Sequence, residues 1–205
     1  LRLSSRLLGE DLGPFHTASA TVQYLSAAIN EPIIAEGALL RRGKDLAFVD
    51  VRILTEGGKP IAQGTTVVRG RGQSDAVSAP ITATGDDGGG SPGPMGEGLP
   101  KRVPFIGHLG LQVENMTEGR SRIVMPFKDY LAGADGGAHE GAILAHLDTT
   151  GAMAAWAETG PGPYKASTVQ LSAQMIAPAP TGDLIAYAFV RARDKEIFWC
   201  DVEVA

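Results

Sequence analysis

Polar and apolar residues alternate with the same phase in two distant stretches of the chain. In "LAFVDVRI" (46–53) and "IFWCDVEV" (197–204), charged residues recur at every second position toward the end. That is the pattern of an antiparallel strand with one buried face. "KPIAQGTTVVR" (59–69) follows Gly57-Gly58 and predicts a further strand closing a hairpin. "HLGLQVENMTEGRSRIVMPF" (108–127) reads as a hairpin of two strands. One segment abandons the two-residue period. From about Glu140 to Glu158, Ile143, Leu144 and Leu147 stand among many alanines, and "TGPGPY" follows, so a single helix is predicted there. Its small residues (Ala142, Ala145, Gly151, Ala152, Ala154, Ala155) would let strands approach the axis closely.

The two alternating stretches belong to a longer similarity. "RRGKDLAFVDVRI" (41–53) lines up with "ARDKEIFWCDVEV" (192–204) at a constant offset of 151, with a turn signal at Gly43-Lys44 and at Asp194-Lys195. "TVQYLSA" (21–27) also resembles "TVQLSA" (168–173), with one residue inserted. Shared order and spacing point to a duplicated domain. Between the copies, residues 70–103 are dominated by Gly, Pro, Ser, Asp and Ala, which reads as a flexible linker. The domains expected are therefore 1–69, a linker at 70–103, and 104–205. Each offers long antiparallel strands, and the second adds the helix. An antiparallel sheet wrapped round one central helix, an α+β arrangement, satisfies that order.

Composition narrows the chemistry. With 205 residues and a formal net charge of −5, the chain fits one large or two small domains, and no Lys/Arg cluster suggests nucleic acid. Cys200 is alone, which excludes an intrachain disulfide, suits a reducing compartment, and reads as a strand cysteine rather than a nucleophile. No apolar run approaches the roughly 20 residues of a bilayer span, and "LRLSSRLLGEDL" lacks a signal-peptide core, so cytoplasm is expected. No His, Cys or acidic set has metal-ligand spacing, and "GDDGGGSPG" lacks the lysine of a nucleotide loop.

The stretch "HEGAILAHLD" carries a resemblance. Residues 104–205 resemble the hotdog-fold acyl-CoA thioesterases of the phenylacetate-degradation type. That family opens its central helix with a His-Gly-Gly turn and places an acidic residue nine positions after the histidine. His139, Gly141 and Asp148 match at that spacing, Thr168 falls where the family often has a hydroxyl, and the "PAPTGD" turn is also similar. Two positions depart from the pattern: Glu140 replaces the first glycine, and Gly133 stands where some relatives place a water-orienting asparagine, with Asp135 nearby. With the first repeat, the resemblance implies a tandem, or double, hotdog, with sites at the interface of paired units and a homodimer of such chains.

Thioester hydrolysis needs an oxyanion donor and an activated nucleophile. Helix N-termini present unpaired amides and partial positive charge, so the turn His139-Glu140-Gly141 is suited to polarise a carbonyl. Asp148 can serve as general base toward water or attack directly, and Thr168 or Thr149 can bond its carboxylate. If the helix starts near Glu140, Asp148 lies about 12 Å down its axis. One substrate cannot reach both, so the turn and the aspartate serve different sites. CoA phosphates are expected near Arg193 and Lys195, or near Arg41 and Arg42, and CoA enters only as part of the substrate, with no separate cofactor. Two other readings compete: a non-catalytic acyl-CoA-binding module, and a hotdog hydratase, whose histidine-base pattern is not found. The first repeat carries no His-Gly-Gly turn and the second no counterpart of "GKPIAQGTTVVR", which suggests native residues beyond this chain.

Overall fold

A computed structural model describes residues 15–70, 90–160 and 167–205. The segments "LRLSSRLLGEDL", most of the expected linker and the greater part of "TGPGPY" lie outside the described residues. The chain divides into two compact units. One comprises residues 1–78 with 168–178, and the other residues 79–167 with 179–205.

The first unit is a five-stranded antiparallel sheet in the order β2-β3-β4-β1-β7, built from β1 (His16–Tyr24), β2 (Ile33–Arg42), β3 (Leu46–Thr55), β4 (Pro60–Arg69) and β7 (Gln170–Gln174). Alternation sets its faces. Ala47, Val49, Ala62 and Val68 are buried, while Phe48, Arg52 and Gln63 point out to solvent. Ala47 and Val68 form a small core with Phe15 and Leu39 packed on it.

The second unit places the sheet β5-β6-β8-β9 against a helix. Its strands are β5 (Gln112–Thr117), β6 (Arg120–Met125), β8 (Leu184–Arg193) and β9 (Phe198–Val204), and two short helices, α1 (Gly93–Arg102) and α2 (Pro104–Leu109), precede them. The β5–β6 hairpin closes through Glu118 and Gly119, both with positive φ (51° and 71°), matching the mirror-image turn that suits strand twist. Helix α3 (Glu140–Thr159) packs against all four strands. Gly151 makes one close approach possible, since a Cβ there would lie 3.2 Å from a Val202 methyl. Ile143 is buried as expected, whereas Leu144 and Leu147 are only half-buried, and Thr150, Met153 and Ala154 complete the buried stripe.

Three expectations are corrected. Residues 93–102 form α1 rather than linker, because Gly96 and Leu99 bury against the second unit. A Cβ on Gly96 would meet Val113 at 2.8 Å, so that glycine permits close packing instead of flexibility. The boundary at 104–205 also fails for one strand: β7 leaves the second unit and pairs antiparallel with β1, with Ser172 opposite Thr21 and their hydroxyls 3.3 Å apart. Finally, the two "TVQ" words, at an offset of 147, stand four residues out of step with the hairpins. The β2–β3 and β8–β9 hairpins share one register at offset 151, with bulges at Leu39/Arg41 and at Val190/Ala192. Their turns share a bond too, Gly43 N–H to Leu46 O and Asp194 N–H to Ile197 O. That offset puts Thr17, not Thr21, opposite Thr168 in the comparison.

Candidate active site

The loop before α3 is fixed by its own backbone. Ala132 bridges Ala138, Gly133 N–H donates to Gly137 O at 2.7 Å, and His139 N–H donates to Leu131 O at 2.7 Å. Gly137 lies against the "PAPTGD" turn so tightly that a Cβ would sit 2.1 Å from Ala179 O. Thr181 Oγ1 donates to Gly136 O at 3.1 Å from the same turn. A Cβ on Gly133 would be 3.0 Å from Asp135 Oδ1, so the Asp135 carboxylate lies over the place where an asparagine would project.

His139 is the N-cap of α3, with extended backbone and Nδ1 accepting the Gly141 N–H at 3.0 Å. The Ala142 and Ile143 amides both donate to His139 O. Glu140 fills the first helical position, where a carboxylate is favoured by the helix dipole. His139, Glu140 and Gly141 therefore do come together as one turn, but the Gly141 amide expected as an oxyanion donor is held by the imidazole.

Asp148 stands eight residues beyond Glu140, about 12 Å along the axis. It is half-buried, and its Oδ1 is sealed from solvent. Thr149 is buried, and its hydroxyl donates to Ala145 O at 2.8 Å, which commits it to the helix backbone. Thr168 lies in the first unit, just ahead of β7, apart from the unit that holds Asp148. Arg193 pairs with Glu158 at 3.4 Å, and Lys195 is exposed in the β8–β9 turn. In that turn Asp194 accepts the Glu196 and Ile197 amides, which lowers its pKa.

His146 has no role in the sequence analysis, and the structure makes it a buried polar anchor. It is fully buried, with Nε2–H bonded to Ile123 O at 3.0 Å, and desolvation lowers its pKa to about 4 against the weaker pull of that bond. Thr150 Oγ1 donates to His146 O, and Ser121 Oγ donates to Thr150 O at 2.6 Å, so a polar seam fastens α3 to β6. The lone signal for this seam was a histidine placed on the apolar side of a small-residue helix. Cys200 is half-buried in β9, and burial, then Asp201, push its thiol pKa up, which disfavours the thiolate. Among the described residues, no group of three His, Cys, Asp or Glu is arranged for a metal. None of the described helices is long and apolar enough to cross a membrane.

An antiparallel sheet carrying a helix with such a turn defines a fold class, and comparison names it. No protein-family model matches the chain, and no curated protein matches it. Among solved structures, the chain is similar to a protein from Novosphingobium aromaticivorans provisionally described as a thioesterase. That match has 16% identity, covers 100% of this chain and 77% of the other, and has a TM-score of 0.68. A protein of unknown function with a hot dog fold from Alicyclobacillus acidocaldarius matches at 15% identity, over 99% and 76% of the two chains, with a TM-score of 0.69. The tesB protein of Mycobacterium avium subsp. paratuberculosis matches at 14% identity, over 98% and 80%, with a TM-score of 0.66. At such identities the likeness shows the fold, and the fold is the hotdog.

Proposed function

We propose that the protein is an acyl-CoA thioesterase built from two tandem hotdog repeats, with Asp148 as general base or nucleophile. The observation that carries this reading is the carboxylate inside the central helix, with one oxygen sealed from solvent, nine residues after the histidine that caps it. Burying a carboxylate costs free energy, and costly buried ionisable groups cluster at functional sites. The similar solved structure provisionally described as a thioesterase supports the reaction class. The common hairpin register at offset 151, bulges included, supports the duplication.

A separation of about 12 Å along the helix supports giving the turn and the aspartate to different substrates. Asp148 works on a thioester whose carbonyl is held by the helix turn of another hotdog copy, in a homodimer of double hotdogs. Water activated by Asp148 attacks that carbonyl, and the turn amides stabilise the oxyanion. Arg193 and Lys195 remain cationic candidates for the CoA phosphates, although Arg193 must leave Glu158 to serve.

A second reading has an observation of its own. The Gly141 amide is occupied by His139, which suits a non-catalytic acyl-CoA-binding module whose turn never receives an oxyanion. Thiol release from short, medium, long and aromatic acyl-CoAs separates the two. Under the thioesterase reading, Asp148→Asn lowers turnover by about a hundredfold or more. Tight acyl-CoA binding without thiol release from the unaltered protein would establish the binding module instead.

A further inference from the structure

The two repeats bury equivalent strands to very different degrees. At the offset of 151, β2 corresponds to β8 and β3 to β9. Ala35 opposite Ile53 matches Ala186 opposite Val204, and Gly37 opposite Val51 matches Ala188 opposite Val202. Leu184, Ala186 and Ala188 are 2%, 0% and 4% exposed. Of their counterparts, Ile33 is 55% exposed, Ala35 is exposed and Gly37 is half-buried. The residue types are alike, so the difference lies in what covers them. β8 is covered twice. β6 pairs along its outer edge, from Arg120 opposite Phe189 to Met125 opposite Leu184, and α3 packs on its face. Among the described residues, β2 ends its sheet with no strand on that edge, and no helix packs on it as α3 packs on β8.

This edge is poorly protected against pairing. β2 is ten residues long, and Glu36 is its one charge before Arg41. A long apolar edge with few charges invites another strand. Most of the large hydrophobic residues exposed among the described ones lie in the first unit, with Ile29, Ile33, Ile34 and Leu40 on or near β2. At the turn end, Phe15 and Leu39 already pack on Ala47 and Val68, so the open part is the stretch 33–38. Its face also carries a steric signature. In the second unit a Cβ on Gly151 would lie 3.2 Å from a Val202 methyl, and Val51 holds the equivalent place in the first. A helix docking there needs glycine or a similarly small residue over Val51.

We propose that the 33–38 edge of β2, with the face formed by Ala35, Gly37 and Val51, docks a polypeptide segment built like residues 112–159 and supplied from outside this chain. Its strand continues the sheet antiparallel to β2, as β6 does to β8, and its helix lays a small-residue stripe on the face. A second copy does not meet the need. Among the described residues each chain holds one such segment for two such hairpins, and its own β8–β9 hairpin engages that segment. The inference rests on the duplication within the proposed reading and not on thioester chemistry, so thiol release plays no part in its test.

The test adds a synthetic peptide of residues 112–159 to the full chain, with amide hydrogen exchange followed by mass spectrometry and affinity read from the anisotropy of labelled peptide. At saturating peptide, exchange at residues 33–38 should slow by about tenfold or more. Ala35→Arg in the chain falls where solvent already reaches, and Gly151→Leu in the peptide favours its helix, so neither harms the partner that carries it. Each should nonetheless weaken binding by about tenfold or more. No slowing at residues 33–38, or slowing confined to β6 and β8, would overturn the proposal, as would binding indifferent to both substitutions. Protection of β2 already present in the monomeric chain would show that the chain covers the edge itself. Protection that grows with the concentration of the chain alone would give the edge to a second copy, and either result overturns the proposal. The expected protection in a chain without thioesterase turnover would uphold the surface and overturn the catalytic reading alone.

Discussion

Nδ1 of His139 accepts the Gly141 amide proton at 3.0 Å, so the imidazole caps the donor that an oxyanion would need. Under the proposed mechanism, substrate must displace the ring before the amide can act. This separates two roles that share one turn. Gly141→Pro removes the amide at a first-turn position where proline is tolerated, and turnover should fall by about 10²–10³-fold. His139→Ala removes the cap and leaves the amide, costing about 1 kcal/mol of stability with turnover retained within about threefold. Urea unfolding and thiol release on both variants check the pair. A collapse of turnover in His139→Ala would show that the imidazole takes part in the chemistry.

Gly137 holds that turn in place from outside. Its hydrogen atom faces Ala179 O where a Cβ would sit at 2.1 Å, and backbone cannot yield as a flexible side chain does. Gly137→Ala should therefore cost about 1–3 kcal/mol by overpacking. It should also lower kcat more than it raises KM, since the Gly133–His139 loop must shift. Gly182→Ala, at a glycine without positive φ where a Cβ would meet nothing within 4 Å, serves as the comparison for thermal unfolding.

The elements visible in the sequence were those whose signal is local. Alternation located β3 and β9, the Gly57-Gly58 turn located the β3–β4 hairpin, and apolar residues among alanines, followed by "TGPGPY", located α3. The destination of β7 was not local information. Its five residues are equally good strand in either sheet, and only pairing with β1 decides. The "TVQ" match misled because a three-residue word recurs easily, whereas a bulge and a turn bond at one offset do not. Helix α1 was hidden by glycines and prolines of low helix propensity, which packing against Val113 overrides. Around the helix turn, the family resemblance singled out His139 and Asp148, but it could not reveal that Nδ1 of His139 would occupy the amide two positions on.

His146 should make the second unit acid-sensitive well above the usual carboxylate range. Its pKa falls from 6.5 to about 4 on burial, so the unfolded chain binds the proton more readily than the folded one. Its contribution is therefore fully present above about pH 6.5 and is lost as pH falls toward 4, where it levels off. Roughly 3 kcal/mol is at stake, on the order of 1.4 per pKa unit. Urea unfolding between pH 7.5 and 4 should show this slope, in roughly that range, and His146→Met should flatten it. A slope unchanged by the substitution would assign the acid sensitivity to carboxylates elsewhere.

The distance between the helix turn and Asp148 has a consequence for mixed assemblies. If each catalytic centre takes its turn from one hotdog copy and its aspartate from another, no single lesion disables both contributions of a chain. Gly141→Pro leaves Asp148 intact, and Asp148→Asn leaves the turn intact. Each variant alone should be nearly inactive, while chains unfolded and refolded together should recover a substantial part of the thiol-release rate. Refolding the same variants separately and mixing them briefly controls for residual activity. Recovery only after co-refolding would mean that chains exchange within an oligomer whose sites are shared. Failure to recover, with hetero-oligomers verified by mass spectrometry, would place the amide and the carboxylate in one centre and overturn the separation argued from the helix rise.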